Sequence, residues 1–134
     1  MARTKAALRR EKYRVLVAED DSEWRVTIVR LVKAIGLACV AVEDGRAATE
    51  LLQDASQVFH LVITDLRMPR ASGWRVVEAA RTYRGASFPV IMQTGDAEQP
   101  DVCRRAEELR VELIAKRDIH LLLVPAVRNA LQLR

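Results

Sequence analysis

The stretch Leu61-Val62-Ile63-Thr64-Asp65-Leu66-Arg67-Met68-Pro69-Arg70-Ala71-Ser72-Gly73 decides the fold. Its first four residues make a short apolar run without strict alternation, the pattern of a strand buried on both faces. A carboxylate follows at Asp65, Pro69 punctuates the loop, and helical spacing runs from Gly73 to Tyr83. Runs of the same kind recur at Val15–Ala18, Ala38–Val42, Val90–Met92 and Leu113–Ala115. After the first of these, Trp24, Ile28, Leu31, Val32 and Ile35 fall at i, i+4, i+7, i+8 and i+11, one face of a helix. Ser22 is its expected N-cap and Gly36 its stop. Gly45–Gln53, Gln99–Arg110 and Ile119–Leu131 supply the remaining helical segments. Five strand–helix units in alternation predict an α/β domain: a single five-stranded parallel sheet, (βα)5 and doubly wound, because right-handed crossovers lay helices on both faces.

Composition agrees with one soluble domain. The 134 residues are 50% apolar, 30% charged and 4% aromatic, which excludes a disordered or collagen-like chain. No apolar run approaches the roughly 18–20 residues of a membrane span, and the basic N-terminus lacks the apolar region of about 7–15 residues that a secretory signal needs. A cytoplasmic location, with no membrane association, is therefore expected. Cys39 and Cys103 read as buried thiols rather than a disulfide or metal site. The net charge of +4 is uneven: residues 1–14 carry Arg3, Lys5, Arg9, Arg10, Lys12 and Arg14 against Glu11 alone, so the rest is close to neutral. The division expected is a basic tail over residues 1–12 and a domain over 13–134 whose body does not bind nucleic acid directly.

In an open parallel sheet the carboxyl ends of the strands share one edge, where ligands bind. Glu19-Asp20-Asp21 follow the first run, Asp65 the third, Gln93-Thr94-Gly95-Asp96 the fourth and Lys116 the fifth. Glu43-Asp44 follow the second, which an edge strand would carry away from the centre. Converging carboxylates need a cation, and Mg²⁺ prefers hard oxygen ligands. Asp20 and Asp65 suit direct ligation, and Glu19 suits contact through water. Lys116 and Thr94 are suited instead to the oxygens of a phosphoryl group. Each alone has a plainer reading: Asp20, Asp21 or Ser22 as a helix cap, Lys116 as a loop charge, Thr94 as a turn residue. Their occurrence after separate strands favours a phosphoryl-transfer site.

Val15-Leu16-Val17-Ala18-Glu19-Asp20-Asp21, Asp65-Leu66-Arg67-Met68-Pro69 with Gly73, Thr94-Gly95 and Lys116 together resemble bacterial response-regulator receiver domains, over about residues 13–131. The resemblance implies a flavodoxin-like fold and a signalling switch rather than an enzyme. By it, Asp65 accepts a phosphoryl group from a sensor histidine kinase or phosphotransfer protein. Glu19, Asp20, Asp65 and the backbone carbonyl of Arg67 hold Mg²⁺, Lys116 pairs with the phosphoryl group, and Thr94 reorients to bond it. Gly95 leaves access open, and Arg67 and Asp96 flank the path of the attacking water, where an ion pair would slow dephosphorylation.

Three positions depart from the family pattern. Arg117 stands where proline usually follows the lysine, so a trans peptide is expected. Leu113 replaces the aromatic switch residue, and Leu109-Arg110 replace a Gly-Ala pair. These departures keep open a degenerate receiver that binds partners without phosphorylation. A Mg²⁺-dependent aspartyl phosphohydrolase fits less well, because the first strand ends Glu-Asp-Asp rather than Asp-x-Asp and no cap insertion is present. No output domain follows Leu131, which implies a stand-alone receiver or a piece of a longer regulator. Trp24 and Trp74 read as packing residues, and His60 and His120 lack partners at metal spacing. In the last helix Ile119, Leu122, Leu123, Ala126, Val127 and Ala130 are expected to face the core, leaving Leu121 and Val124 outward. Pro125 implies a kink or a late start. With Leu113, Leu121 and Val124 form the expected face for a homodimer or partner, built from the last two strand–helix units.

Overall fold

Each apolar run forms a parallel strand and each periodic segment a helix. The computed structural model describes residues 12–133, so residues 1–11 of the expected tail lie outside them. In chain order the elements are β1 (Arg14–Ala18), α1 (Ser22–Ala34), β2 (Ala38–Val42), α2 (Gly45–Gln53), β3 (Leu61–Asp65), α3 (Gly73–Arg84), β4 (Val90–Thr94), α4 (Pro100–Glu108), β5 (Glu112–Ala115) and α5 (Ile119–Ala130). The five strands make one sheet in the order β2-β1-β3-β4-β5.

Alternation along the strands divides the core in two. Leu16, Val62, Val90 and Met92 point to one face, where Ala48 and Leu52 of α2, Val76 and Ala80 of α3 and Val102 and Ala106 of α4 cover them. Val15, Val17, Leu61, Ile63 and Ile91 point to the other, under Ile28 and Val32 of α1 and Ile119, Leu123 and Val127 of α5. Two buried faces explain why these strands read as continuous apolar runs.

Several expectations are corrected. Asp21, not Ser22, caps α1, its Oδ1 accepting from the N–H groups of Glu23 (2.9 Å) and Trp24 (3.0 Å). Strands β1, β3, β4 and β5 are each one or two residues longer than the apolar runs, because the polar residues Arg14, Asp65, Gln93, Thr94 and Glu112 continue the ladder. Helix α4 is shorter at both ends, since Pro100 fixes its first turn and Arg110 takes a left-handed φ of 56°. Helix α5 starts at Ile119 after a 3₁₀ turn at Lys116–Asp118 and continues through Pro125, so its first turns are not an extended lead-in. Ile119, Leu123 and Val127 face the core as expected, with Ala126 and Ala130 packed partly buried beside them. Leu122, one helical step from Leu123, is turned out at 42% exposure, while Val124 is half-buried and Leu121 is 73% exposed. Cys39 is half-buried, with burial pushing its thiol up to about 11, whereas Cys103 is exposed on the outer side of α4.

Two arginines of α3 stitch the amino-terminal edge. Arg84 donates to the carbonyls of Leu51, Leu52, Asp54 and Gln57 at the end of α2, with its guanidinium 5.5 Å from the centroid of the Phe59 ring. Arg81 donates to the carbonyls of Phe88, Leu109 and Arg110.

Candidate functional site

Parallel register brings the carboxyl ends of the central strands level: Ala18 lies beside Thr64, Asp65 beside Gln93, and Thr94 beside Ala115. The residues that follow share one edge at the β1–β3 junction, where strand order reverses and a crevice opens. Glu19 and Asp65 are buried there and Asp20 is exposed. One carboxylate oxygen from each lies within 4.8 Å of the others. Lys116 Nζ donates to Glu19 Oε1 at 2.8 Å and to Asp65 Oδ2 at 3.1 Å. The Trp24 ring also faces this ammonium, which lies 5.6 Å from the ring centroid.

Asp65 is held from both sides. Its Oδ1 accepts from the Leu66 N–H at 2.7 Å, and Lys116 holds Oδ2. The N-terminus of α3 butts against this turn, the Gly73 N–H donating to the Leu66 carbonyl at 2.7 Å. A Cβ at Gly73 would fall 2.3 Å from the Asp65 carbonyl oxygen, so only glycine permits the approach.

The charges do not balance. Burial pushes the Glu19 carboxyl up to about 7, with the Lys116 hydrogen bond opposing and the charge of Asp65 reinforcing the rise. Burial pulls Lys116 down, yet its hydrogen bonds to Glu19 and Asp65 outweigh this and hold it above its ordinary value. Three carboxylates around one ammonium leave negative charge uncompensated. Hard oxygen donors, one of them solvent-exposed, fit Mg²⁺, which takes a few carboxylates and keeps several waters.

Around this centre Thr94 is buried, its hydroxyl accepting from the Asp96 N–H at 3.1 Å. A Cβ at Gly95 would meet nothing within 4 Å, so that side is open. The exposed Arg67 guanidinium pairs with the Asp96 carboxylate, which holds the arginine above its usual value. Arg117 pairs with Glu98, so the loop after β4 is tied on both sides. No cis peptide occurs among the described residues, so Lys116–Arg117 is trans as expected.

Asp44 is not a member of the carboxylate cluster. It caps α2 through the Ala47 N–H (2.7 Å) and pairs with Arg70 (2.6 Å). Leu113 packs on the α2–α4 side of the sheet, whereas Leu121 and Val124 belong to α5 on the other. The expected single apolar stripe is therefore divided by the edge strand β5. Two participants carried no assigned role in the sequence. Arg25 donates to the Glu19 carbonyl at 2.9 Å. Gln93, fully buried, is with Thr94 one of the two polar residues that end β4, and that break in the apolar run was its only signal.

A family model described as the response regulator receiver domain matches residues 15–124. The transcriptional regulatory protein TctD of Salmonella typhimurium is 36% identical over 81 residues, 60% of this chain and 35% of that protein. The chain spans a minor part of the length of the curated relatives it matches. The solved receiver domain of the hybrid histidine kinase CckA is 27% identical with a TM-score of 0.71, covering 89% of this chain and 99% of that one. The receiver domain of the histidine kinase CKI1 from Arabidopsis thaliana, complexed with Mg²⁺ and BeF₃⁻, shares the fold at 18% identity and a TM-score of 0.75, covering 95% of both chains.

Proposed function

Because the chain belongs to the response regulator receiver family, we propose that it is a phosphorylation-controlled switch that accepts a phosphoryl group on Asp65 from the phosphohistidine of a sensor kinase or phosphotransfer protein. The observation that carries this reading is Lys116 bridging Glu19 and Asp65 beside Asp20 at the sheet edge. An Asp65 oxygen forms the new O–P bond, the N–P bond of the donor breaks, and its electron pair returns to the imidazole nitrogen. Glu19, Asp20, Asp65 and the Arg67 backbone carbonyl are the groups to hold Mg²⁺, which when bound supplies charge compensation for the phosphoryl oxygens. Lys116 supplies positive charge on the opposite side, and Thr94 turns its hydroxyl to the phosphoryl group once it is in place. The added charge biases the loops at this edge and the helices that follow them.

Incubation with a small acyl phosphate and Mg²⁺, followed by intact mass, tests the assignment. The expected result is one phosphate per chain, lost in Asp65→Asn. Rapid multiple turnover would indicate a phosphohydrolase, and no adduct a phosphorylation-independent receiver. Asp20→Ala is expected to weaken Mg²⁺ binding by removing a hard oxygen ligand.

A further inference from the structure

Gln93 is the one fully buried amide at the end of β4 among the described residues, and nothing in the phosphoryl-transfer set assigned above uses it. Val90, Ile91 and Met92 fill the same strand with apolar side chains. A buried amide costs stability unless it is hydrogen-bonded, so its position requires partners. Its amide lies against the Thr64–Asp65 peptide: with the nitrogen toward the Thr64 carbonyl (2.8 Å), the oxygen is 3.2 Å from the Asp65 nitrogen. Turned the other way, its nitrogen lies 3.4 Å from Glu19 Oε2. The amide therefore stands between the backbone of the acceptor and the buried carboxylate of β1.

We propose that Gln93 is a positioning residue for the acceptor, fixing the Thr64–Asp65 peptide and so the direction of the Asp65 carboxylate. The role rests on the phosphoryl-acceptor reading. Asp65 is the last residue of β3, where the sheet ladder runs out. A side chain from β4 that donates to the Thr64 carbonyl braces this peptide without adding backbone. The carboxylate then leaves from a fixed peptide, with Leu66 N–H and Lys116 completing its orientation. Small displacements of a reacting atom cost rate steeply, whereas a partly solvated cation site adapts by exchanging waters.

The test uses Gln93→Met, close in length but unable to donate to the Thr64 carbonyl, with Gln93→Val as a second variant should the first not fold. The amide resonance of Asp65 is followed in ¹⁵N-labelled protein, together with the rate of phosphorylation by a small acyl phosphate and the affinity for Mg²⁺. The expected result is a shifted Asp65 amide, a phosphorylation rate down about tenfold or more, and Mg²⁺ affinity changed by much less. An Asp65 amide that does not move, or an unchanged phosphorylation rate in a folded variant, overturns the role while the wild type is still phosphorylated. A wild-type protein that accepts no phosphoryl group overturns the underlying reading, and the positioning role with it.

Discussion

Arg67 and Asp96 each stand two residues beyond a candidate site residue, Asp65 and Thr94, and their side chains pair with each other. An exposed pair of this kind contributes little to stability. We propose that the pair obstructs water approaching a phosphorylated Asp65. Arg67→Ala is expected to shorten the phosphoryl lifetime several-fold with no change in the melting temperature, measured by the loss of incorporated ³²P. An unchanged lifetime would remove the gate. The pairing was legible in the sequence because both partners have fixed offsets from motif residues. Gln93 was not assigned, since a glutamine after an apolar run reads equally as a strand end, and only burial separates the two.

The elements were legible wherever periodicity and punctuation agreed. Gly45–Gln53 matches its helix at both ends, with a Gly start after a capping Asp44. The end of α2 shows what periodicity cannot supply, because its last carbonyls are satisfied by Arg84 from another helix. Hydrogen bonds to a charged group are worth about 1.5–3 kcal/mol in such settings. Arg84→Ala is expected to cost about 2–3 kcal/mol in urea unfolding, and Arg84→Lys most of that, since an ammonium cannot span four carbonyls. At the other end of α2 the Ala47 N–H, and then Arg70, hold the Asp44 carboxyl below its ordinary 3.8. A depressed carboxyl stabilises the fold at pH values above that ordinary figure and loses the contribution as pH falls through the folded value. Asp44→Asn is therefore expected to melt below the wild type at about pH 6, with the gap closing as pH falls below 3.8.

At the scale of the molecule, the double winding and the meeting of Glu19, Asp20, Asp65 and Lys116 were legible because each follows its own strand. The outer face of α5 was read only in part. Leu121, Leu122, Leu123 and Val124 are all apolar, and the identity of the outward pair depends on the phase of a helix that starts after a 3₁₀ turn. Leu121 and Leu122 are the outward pair, and self-association or partner docking there is expected to rise on phosphorylation. Leu121→Glu should abolish a phosphorylation-dependent change in sedimentation while leaving the phosphate on Asp65; an unaltered profile would show that the face is unused. The two arginines of α3 give the whole a mechanical polarity. Arg81 and Arg84 between them hold seven backbone carbonyls at the amino-terminal edge. The loop after Thr94, at the carboxyl edge, is tied by two exposed ion pairs. One end is thus bound like a foundation and the other like a hinge plate, so a charge placed on Asp65 is expected to act at the lightly tied end and leave the footing still.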